Sequence, residues 1–530
     1  MLNIQYVIGS PCTTALTILA IVTGVLYWYC TNTFDYWKKK GVPYVPPTPF
    51  FGNIAESLLG TKNFNFVHQE LYNRFKGHRF VGIYHAKKPV LLLRDPELIK
   101  LCLVKDFQNF HDRDSVIINP EKNILQQNLV NLAGQKWRVL RNKLSPTFTS
   151  GKIKNMFPLM IECCANVVSY LQESANRQEI VEMKEVLAKL STDVIGSCAF
   201  GLQMNALDDP NSEFRRMGRL IFEPSLKARF GRFLLLMVPD LGNWINLDFM
   251  SSEMNEFFFR IVKETADYRI KNNIIRNDFF QLLLNLKQTG SVDDEDKQGQ
   301  INGVGDKTQD LDFEMNDAVM AAQAFVFFAA GFETSSTTMS FALHELAVNT
   351  DIQEKVRKEI DTSLEETGGE FTYESIMNLK YLDKVVSETL RMYSAVMFLR
   401  RGVTIPYTIP GTNVLLDKGS SVVIPVYALH HDPEYFPEPK RFDPERFSDE
   451  EKAKRPHYVY LPFGEGPRNC IGMRFGLLQT KLGLATLLSK YEFDVCERTE
   501  VPLRLSPNSF VLASTSGTVV RISNRRKLPY

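Results

Sequence analysis

The feature that most restricts what this chain can fold into is a run of 15 residues, Ala318 to Phe332 (AVMAAQAFVFFAAGF), in which Gln323 is the only polar side chain. It lies in a segment without proline that extends from Leu311 to Ile405. A helix that is apolar all round must be enclosed by protein or by lipid. The run falls short of the ~20 residues that span a bilayer, and Asp317 and Glu333 flank it. It therefore predicts a buried helix at the centre of a large body. Most of 155–290 reads as helix as well. The segments 79–84 and 89–93 read as a β-hairpin followed by a short helix from Asp95, and 287–311 as a long polar loop. Thr412–Leu415 and Ser421–Pro425 read as strands joined through Asp417-Lys418-Gly419. The expected class is mainly α with small β-sheets (α+β). No linker divides 51–530, so that span is expected to be a single domain.

The N-terminus has a different character. No charged residue precedes Asp35, and ALTILAIVTGVLYWYC ends at Cys30. This run is long enough to cross a bilayer. Tyr27, Trp28 and Tyr29 sit where an interfacial aromatic belt belongs, and Lys38, Lys39 and Lys40 place that end in the cytosol. Residues 1–34 are expected to be a membrane anchor. Residues 35–50, basic and then proline-rich, are expected to be a stiff hinge.

Composition excludes other classes. Lys+Arg number 62 against 61 Asp+Glu, which argues against a nucleic-acid binder acting through bulk charge. The eight cysteines form no C-x-x-C pair and read as reduced thiols. There is no H-E-x-x-H, no phosphate-binding G-x-x-x-x-G-K-[ST] and no G-x-G-x-x-G, so the chain carries no dinucleotide site of its own.

One cysteine has an unusual setting. Cys470 lies in PFGEGPRNCIG, with Phe463, Gly466, Arg468 and Gly472 in the pattern F-x-x-G-x-R-x-C-x-G. Glycines let backbone N–H groups approach sulfur, and a nearby arginine favours the thiolate. Such a sulfur suits ligation of haem iron; the alternative is a buried cysteine in a turn. Three further patterns precede it. Trp137 and Arg141 in W-R-V-L-R share a helix face and can reach one anion together. In A-G-F-E-T, Glu333 and Thr334 put an acid and a hydroxyl in an apolar wall, with Gly331 opening space and freeing a carbonyl; such a pair can relay protons. Glu388 and Arg391, three apart, meet on one helix face, and Pro444-Glu-Arg-Phe447 follows them.

In this order, over nearly the whole chain, these motifs resemble the microsomal, membrane-anchored cytochrome P450 family, most of all its insect detoxification branch. The resemblance implies the cytochrome P450 fold with an N-terminal transmembrane helix, and haem b (iron protoporphyrin IX) held by the Cys470 thiolate. It implies that Arg113, Trp137, Arg141, Arg401 and Arg468 contact the haem propionates and that Phe463 covers the ligand, with Arg400 the alternative to Arg401. It gives Thr334 and Glu333 the catalytic proton relay, and Glu388, Arg391 and Arg446 a structural network. Phe325, Phe328 and Ala329, and Val396, Met397 and Phe398, are candidates to line the substrate pocket. The first three fit core packing equally well. Where the family usually has prolines after E-x-x-R, this chain has Ser394-Ala395, which predicts a less rigid segment. The implied activity is monooxygenation of a lipophilic small molecule at the endoplasmic reticulum membrane. NADPH–cytochrome P-450 reductase, with cytochrome b5 as a second donor, would supply electrons across Lys136, Arg138 and Lys143. An apolar and basic mixture at 221–237 suggests contact with membrane lipid. A haem-thiolate isomerase or dehydratase, a haem carrier and a membrane structural protein are the rival readings.

Overall fold

The computed structural model describes residues 11–114, 123–209, 212–222, 231, 234–235, 237–238, 251–290, 315–509 and 511–525. Helix α1 (Pro11–Thr31) carries exposed apolar side chains from Leu16 to Trp28, and it is long and apolar enough to cross a membrane. Helix α2 (Phe64–Arg74) starts where the Asn63 side chain accepts from Asn65 N, satisfying one open backbone donor. Strands β1 (Phe80–His85) and β2 (Lys88–Leu93) form the expected hairpin. Asp95 caps the short helix after it by accepting from Leu98 N. Helices α3 (Gly134–Leu144), α4 (Ser150–Asn176) and α5 (Met183–Ile195) follow. Then come α6 (Asp317–Val348), α7 (Lys380–Met392), β3 (Leu399–Gly402), β4 (Ser421–Ile424) and α8 (Met473–Lys490).

The apolar run forms the first half of α6, which extends 16 residues past Phe332 to Val348. Nearly every residue of α6 outside one short face is buried against α5, α7, α8 and neighbouring helices. The four strands make one sheet in the order β1-β2-β4-β3, with β2 and β4 parallel and the other pairs antiparallel. The sheet has its own apolar core, built on Val81, Ile83, Leu92, Val423 and Ile424.

Three expectations need correcting. The strand expected at Thr412–Leu415 is only Leu415–Leu416, because Thr412 closes a turn back onto Ile409 O through its N–H and its hydroxyl. It pairs with Tyr407–Thr408 and not with β4. Residues 35–50 do not stand off as a spacer. Trp37 is fully buried and donates to Ile83 O at 3.0 Å, while Tyr36 and Lys40 both reach Asp417. Burying one indole takes roughly 150–250 Å² from water, about 4–6 kcal/mol, which outweighs a polyproline preference. The loop expected at 287–311 begins inside a helix that ends at Thr289; 291–311 and most of 221–237 lie outside the described residues.

Candidate active site

The loop around Cys470 is held by its own backbone and by a chain of hydrogen bonds from α7. Cys470 N donates to Phe463 O at 2.9 Å, Asn469 N to Gly466 O at 3.0 Å and Gly464 N to Leu461 O at 3.1 Å. Gly466 has φ +75°, and a Cβ there would lie 2.0 Å from Leu103 O, so no other residue fits. Leu461 N donates to His430 Nε2 at 2.9 Å, and His430 O accepts from Arg391 Nη1 at 2.9 Å. Arg391 is paired with Glu388 at 2.7 Å, both side chains being wholly buried. Glu388 also accepts from Asp443 N at 3.0 Å and has Arg446 Nε at 3.5 Å. The three residues expected to form a network therefore meet, with Arg446 as the loosest member. Ser394, in the proline-free stretch, is tied by its hydroxyl to Val396 O.

Cys470 differs from the other thiols. Cys102, Cys163, Cys164 and Cys198 are buried, and burial pushes the first three up to about 12. Cys470 is exposed, yet burial is also the largest influence raising its thiol. A side chain that is both accessible and desolvated faces a space inside the fold. The Gly472 N–H, Arg113 and Arg141 pull its pKa the other way and so favour thiolate.

Four arginines converge on this loop. Arg113 donates to Arg468 O at 3.0 Å, and Arg141 donates to Asn469 O and Oδ1. Arg468 donates to His111 O and Leu132 O, and reaches Asp112 Oδ1 at 3.1 Å. Its guanidinium lies 3.9 Å from the Trp137 ring centroid, so Trp137 meets Arg468 while Arg141 holds the loop. Burial lowers Arg468 to about 9, helped by Arg113, Arg401 and Arg141; burial and Arg401 lower Arg113 to about 10. Arg401 Nε is buried without a partner. Neighbours on a strand point to opposite faces, and β3 shows it: Arg401 acts on this cluster, whereas Arg400 turns away to His85 Nδ1 at 3.0 Å.

The opposing wall comes from α6. Ala330 is exposed within this otherwise buried helix, and Thr334, one turn on, is half-buried. At Gly476, near the start of α8, an added Cβ would lie 3.9 Å from Ser335 Oγ, so the helix that follows the cysteine loop meets α6 beside Thr334. Phe325 and Phe328 do not line this face. They are 3% and 0% exposed and pack with Phe258, Phe328 also with Phe200 and Phe214. At about 100° per residue, Phe328 sits roughly 200° from Ala330. Ala329 is half-buried beside the open face. The carbonyl expected to be free is taken: Thr334 Oγ1 donates to Ala330 O at 2.5 Å. Gly331 serves close packing, since a Cβ there would meet Ile195 Cδ1 at 2.3 Å. Glu333 points away from Thr334 and pairs with Lys184 of α5 at 2.9 Å. Val396, Met397 and Phe398 are half-buried just before β3, where Leu399 approaches Gly464 of the cysteine loop. A separate polar cleft of about 410 Å³, lined by Glu162, Tyr170 and Asp193, contains none of these residues.

Comparison with known proteins identifies the family. The sequence profile described as Cytochrome P450 matches residues 42–520. The chain belongs to the cytochrome P450 family. It is 42% identical to Cytochrome P450 6k1 of Blattella germanica over 96% of this chain and 97% of that protein. It is also 42% identical to Cytochrome P450 6a2 of Drosophila melanogaster, over 95% and 98%. Probable cytochrome P450 6a14 of the same fly is 41% identical over 96% and 99%. The insect detoxification branch is thus the right neighbourhood, and the chain is a monooxygenase with a haem-thiolate cofactor.

The residues present fit the haem of a cytochrome P450. Arg113, Arg141, Arg401 and Arg468 crowd together, with Asp112 the carboxylate in contact with Arg468. A group bearing two carboxylates would relieve that repulsion and give the Arg401 Nε a partner. Sequence reasoning missed His430, Asp112 and Asn469. Asp112 and Asn469 had only adjacency to Arg113 and Cys470 as a signal and His430 had none, because a residue that ties two segments together has no pattern of its own.

Proposed function

We propose that Cys470 is the axial thiolate ligand of haem b and that Arg113, Arg141, Arg401 and Arg468, with Trp137 supporting Arg468, hold its propionates. The accessible, desolvated sulfur among these cations is the observation that carries this reading. Phe463, half-buried beside the loop, covers the sulfur side. When bound, the haem supplies dioxygen activation and insertion of one oxygen atom into a lipophilic substrate. Ala329, Ala330, Val396, Met397 and Phe398 offer that substrate an apolar wall and exclude water from it. Xenobiotics and endogenous lipophiles are the substrate class.

Thr334 holds a proton at the open face of α6. Its hydroxyl, now donated to Ala330 O, turns to donate into the site. Glu333 resupplies it after leaving Lys184 and taking up a proton from water, since the carboxylate paired with Lys184 is only an acceptor. Glu388, Arg391 and Arg446 act structurally, fixing the cysteine loop through His430.

Electrons come from NADPH–cytochrome P-450 reductase, with cytochrome b5 as a second donor. Lys136 and Arg138 are exposed on the two flanks of the buried Trp137, and Lys143 is half-buried on the Lys136 flank; these cations suit an acidic partner. Helix α1 anchors the protein in the endoplasmic reticulum membrane, with residues 51–530 forming one haem-binding domain on the cytosolic side. The C-terminal end of α1 is seated on the body: Tyr29 lies under Lys87 at 3.4 Å and Cys30 packs with Ala86.

The test is the reduced, carbon monoxide-bound difference spectrum of the membrane-expressed protein beside Cys470→Ala. The expected result is the strongly red-shifted Soret band of thiolate-ligated haem, lost in the variant. An unshifted band in the wild type would return the chain to the carrier reading.

A further inference from the structure

Under the presumed substrate wall lies a buried chain of three side chains from three elements. Arg400 of β3 donates from Nη2 to His85 Nδ1 at 3.0 Å, and His85 Nε2 lies 3.0 Å from His68 Nε2. His85 ends β1 and His68 is on α2; both are 1% exposed. The proton positions follow from chemistry. A guanidinium can only donate, so His85 Nδ1 must accept. A neutral imidazole that accepts at Nδ1 carries its proton on Nε2, so His85 donates onward. His68 Nε2 must then accept, and its proton sits on Nδ1. The chain has one allowed arrangement, and both rings must be neutral.

Phe398 sits inside this arrangement. Its ring centroid is 5.2 Å from His68, 6.3 Å from Phe64 and 5.6 Å from the Arg400 guanidinium. The Arg400 guanidinium is thus held by His85 and lies against the Phe398 ring with the same group. Phe398 adjoins Leu399, whose side chain lies beside Gly464 of the cysteine loop, 3.5 Å from where a Cβ there would be. Asp114 is the facing carboxylate that favours the Arg400 charge, and it pairs with Lys88 at 2.5 Å.

We propose that His68 and His85 are positioning residues for the substrate wall: acting through Arg400, their ordered hydrogen bonds set the placement of Phe398 and so the shape of the space beside the cysteine loop. This rests on the reading of residues 396–398 as wall. The device is sensitive to a single acceptor. Removing the acceptor at His68 leaves the His85 N–H buried and unpaired, a penalty that is relieved by moving His85 and, with it, Arg400 and Phe398.

The test uses two azoles on the full-length haem protein, titrated by their spectral shift: imidazole, which senses the haem alone, and 4-phenylimidazole, whose ring also senses the wall. The quantity read is the ratio of their dissociation constants. His68→Leu removes the acceptor and is expected to change that ratio at least about threefold, while His68→Gln, whose Oε1 can accept, stays within about 1.5-fold of wild type. The effect of His68→Leu should shrink in the Phe398→Ala background. A ratio unchanged in His68→Leu, or changed equally in His68→Gln, overturns the proposal, whatever happens to thermal stability. Should His68→Leu not accumulate, His85→Asn, which keeps the acceptor for Arg400 but cannot reach His68, tests the same link, and an unchanged ratio there overturns it too. Failure of imidazole itself to bind would instead count against the haem reading.

Discussion

The cysteine loop and the Glu333–Thr334 step of α6, which α8 brings close to one another, are built in opposite ways. Every turn of the loop is tied: Cys470 N to Phe463 O, Leu461 N to His430, His430 O to Arg391, and Arg391 to a fully buried Glu388. The step on α6 is held by bonds that exchange. The Thr334 hydroxyl rests on a carbonyl one turn back, and Glu333 is latched to Lys184, with side chains 14% and 23% exposed. The loop proposed to carry a fixed ligand has redundant, dry contacts. The groups proposed to pass protons have few and partly wet ones, Glu333 being held by Lys184 and by the Thr337 hydroxyl at 3.3 Å.

Breaking the fixed side should cost most. Cys470→Ala is expected to abolish the red-shifted band and turnover together, measured as product formed with reductase. Glu388→Ala leaves Arg391 as an uncompensated buried cation, a loss of about 3–5 kcal/mol. Its expected signature is a large fall in thermal midpoint together with loss of bound haem; a folded, haem-replete variant would show that the loop does not depend on α7.

The exchanging side should give smaller effects, on rate and not on folding. Thr334→Ala removes the hydroxyl that holds the proton, and one such group typically contributes at least about 100-fold. A smaller loss, about tenfold, is expected here because water can occupy the open face. The check is product formed per NADPH consumed, with hydrogen peroxide release rising as it falls. Lys184→Met unlatches Glu333 and should shift the pH profile of turnover while changing its maximum less than about threefold. An unchanged profile would sink the latch.

The smallest effect concerns pH. Burial holds His68 and His344 down at about 4 and His431 at about 3, and holds His85 and His430 well below the ordinary value. These groups bind protons more tightly when unfolded. Their contribution to stability is therefore complete above about pH 6.5 and is lost as pH falls toward about 4. Denaturant midpoints measured between those limits should fall with pH, and His68→Gln should flatten that slope.

The cysteine loop was legible because its constraints are local. Gly466, Arg468 and Cys470 sit within a few residues, and the positive φ at Gly466 leaves a fixed spacing in the chain. The hairpin and the central helix were legible for the same reason, since short apolar runs broken by a turn and one long unbroken apolar run are local signals. The pocket face of α6 was not. Phe325 and Phe328 are apolar and beside the motif, but a helix apolar on all sides gives no phase, and only its neighbours decide which face is left open. Those neighbours put Phe258 and Phe200 over one side and left Ala330 bare on the other.

By itself the sequence determined the family, the helical class, the turn that carries Cys470 and the apolar N-terminal helix, because each is written in residue type and short-range spacing. Tertiary structure alone decided that Arg401 and not Arg400 joins the arginine cluster, that Glu333 is held by Lys184, that Trp37 fastens residues 35–50 to the sheet, and that His68 and His85 are joined by a hydrogen bond beside Phe398. Each of these is a contact between segments remote in the chain. Their pairing is set by how the sheet and helices close on one another, and no single segment carries a record of it.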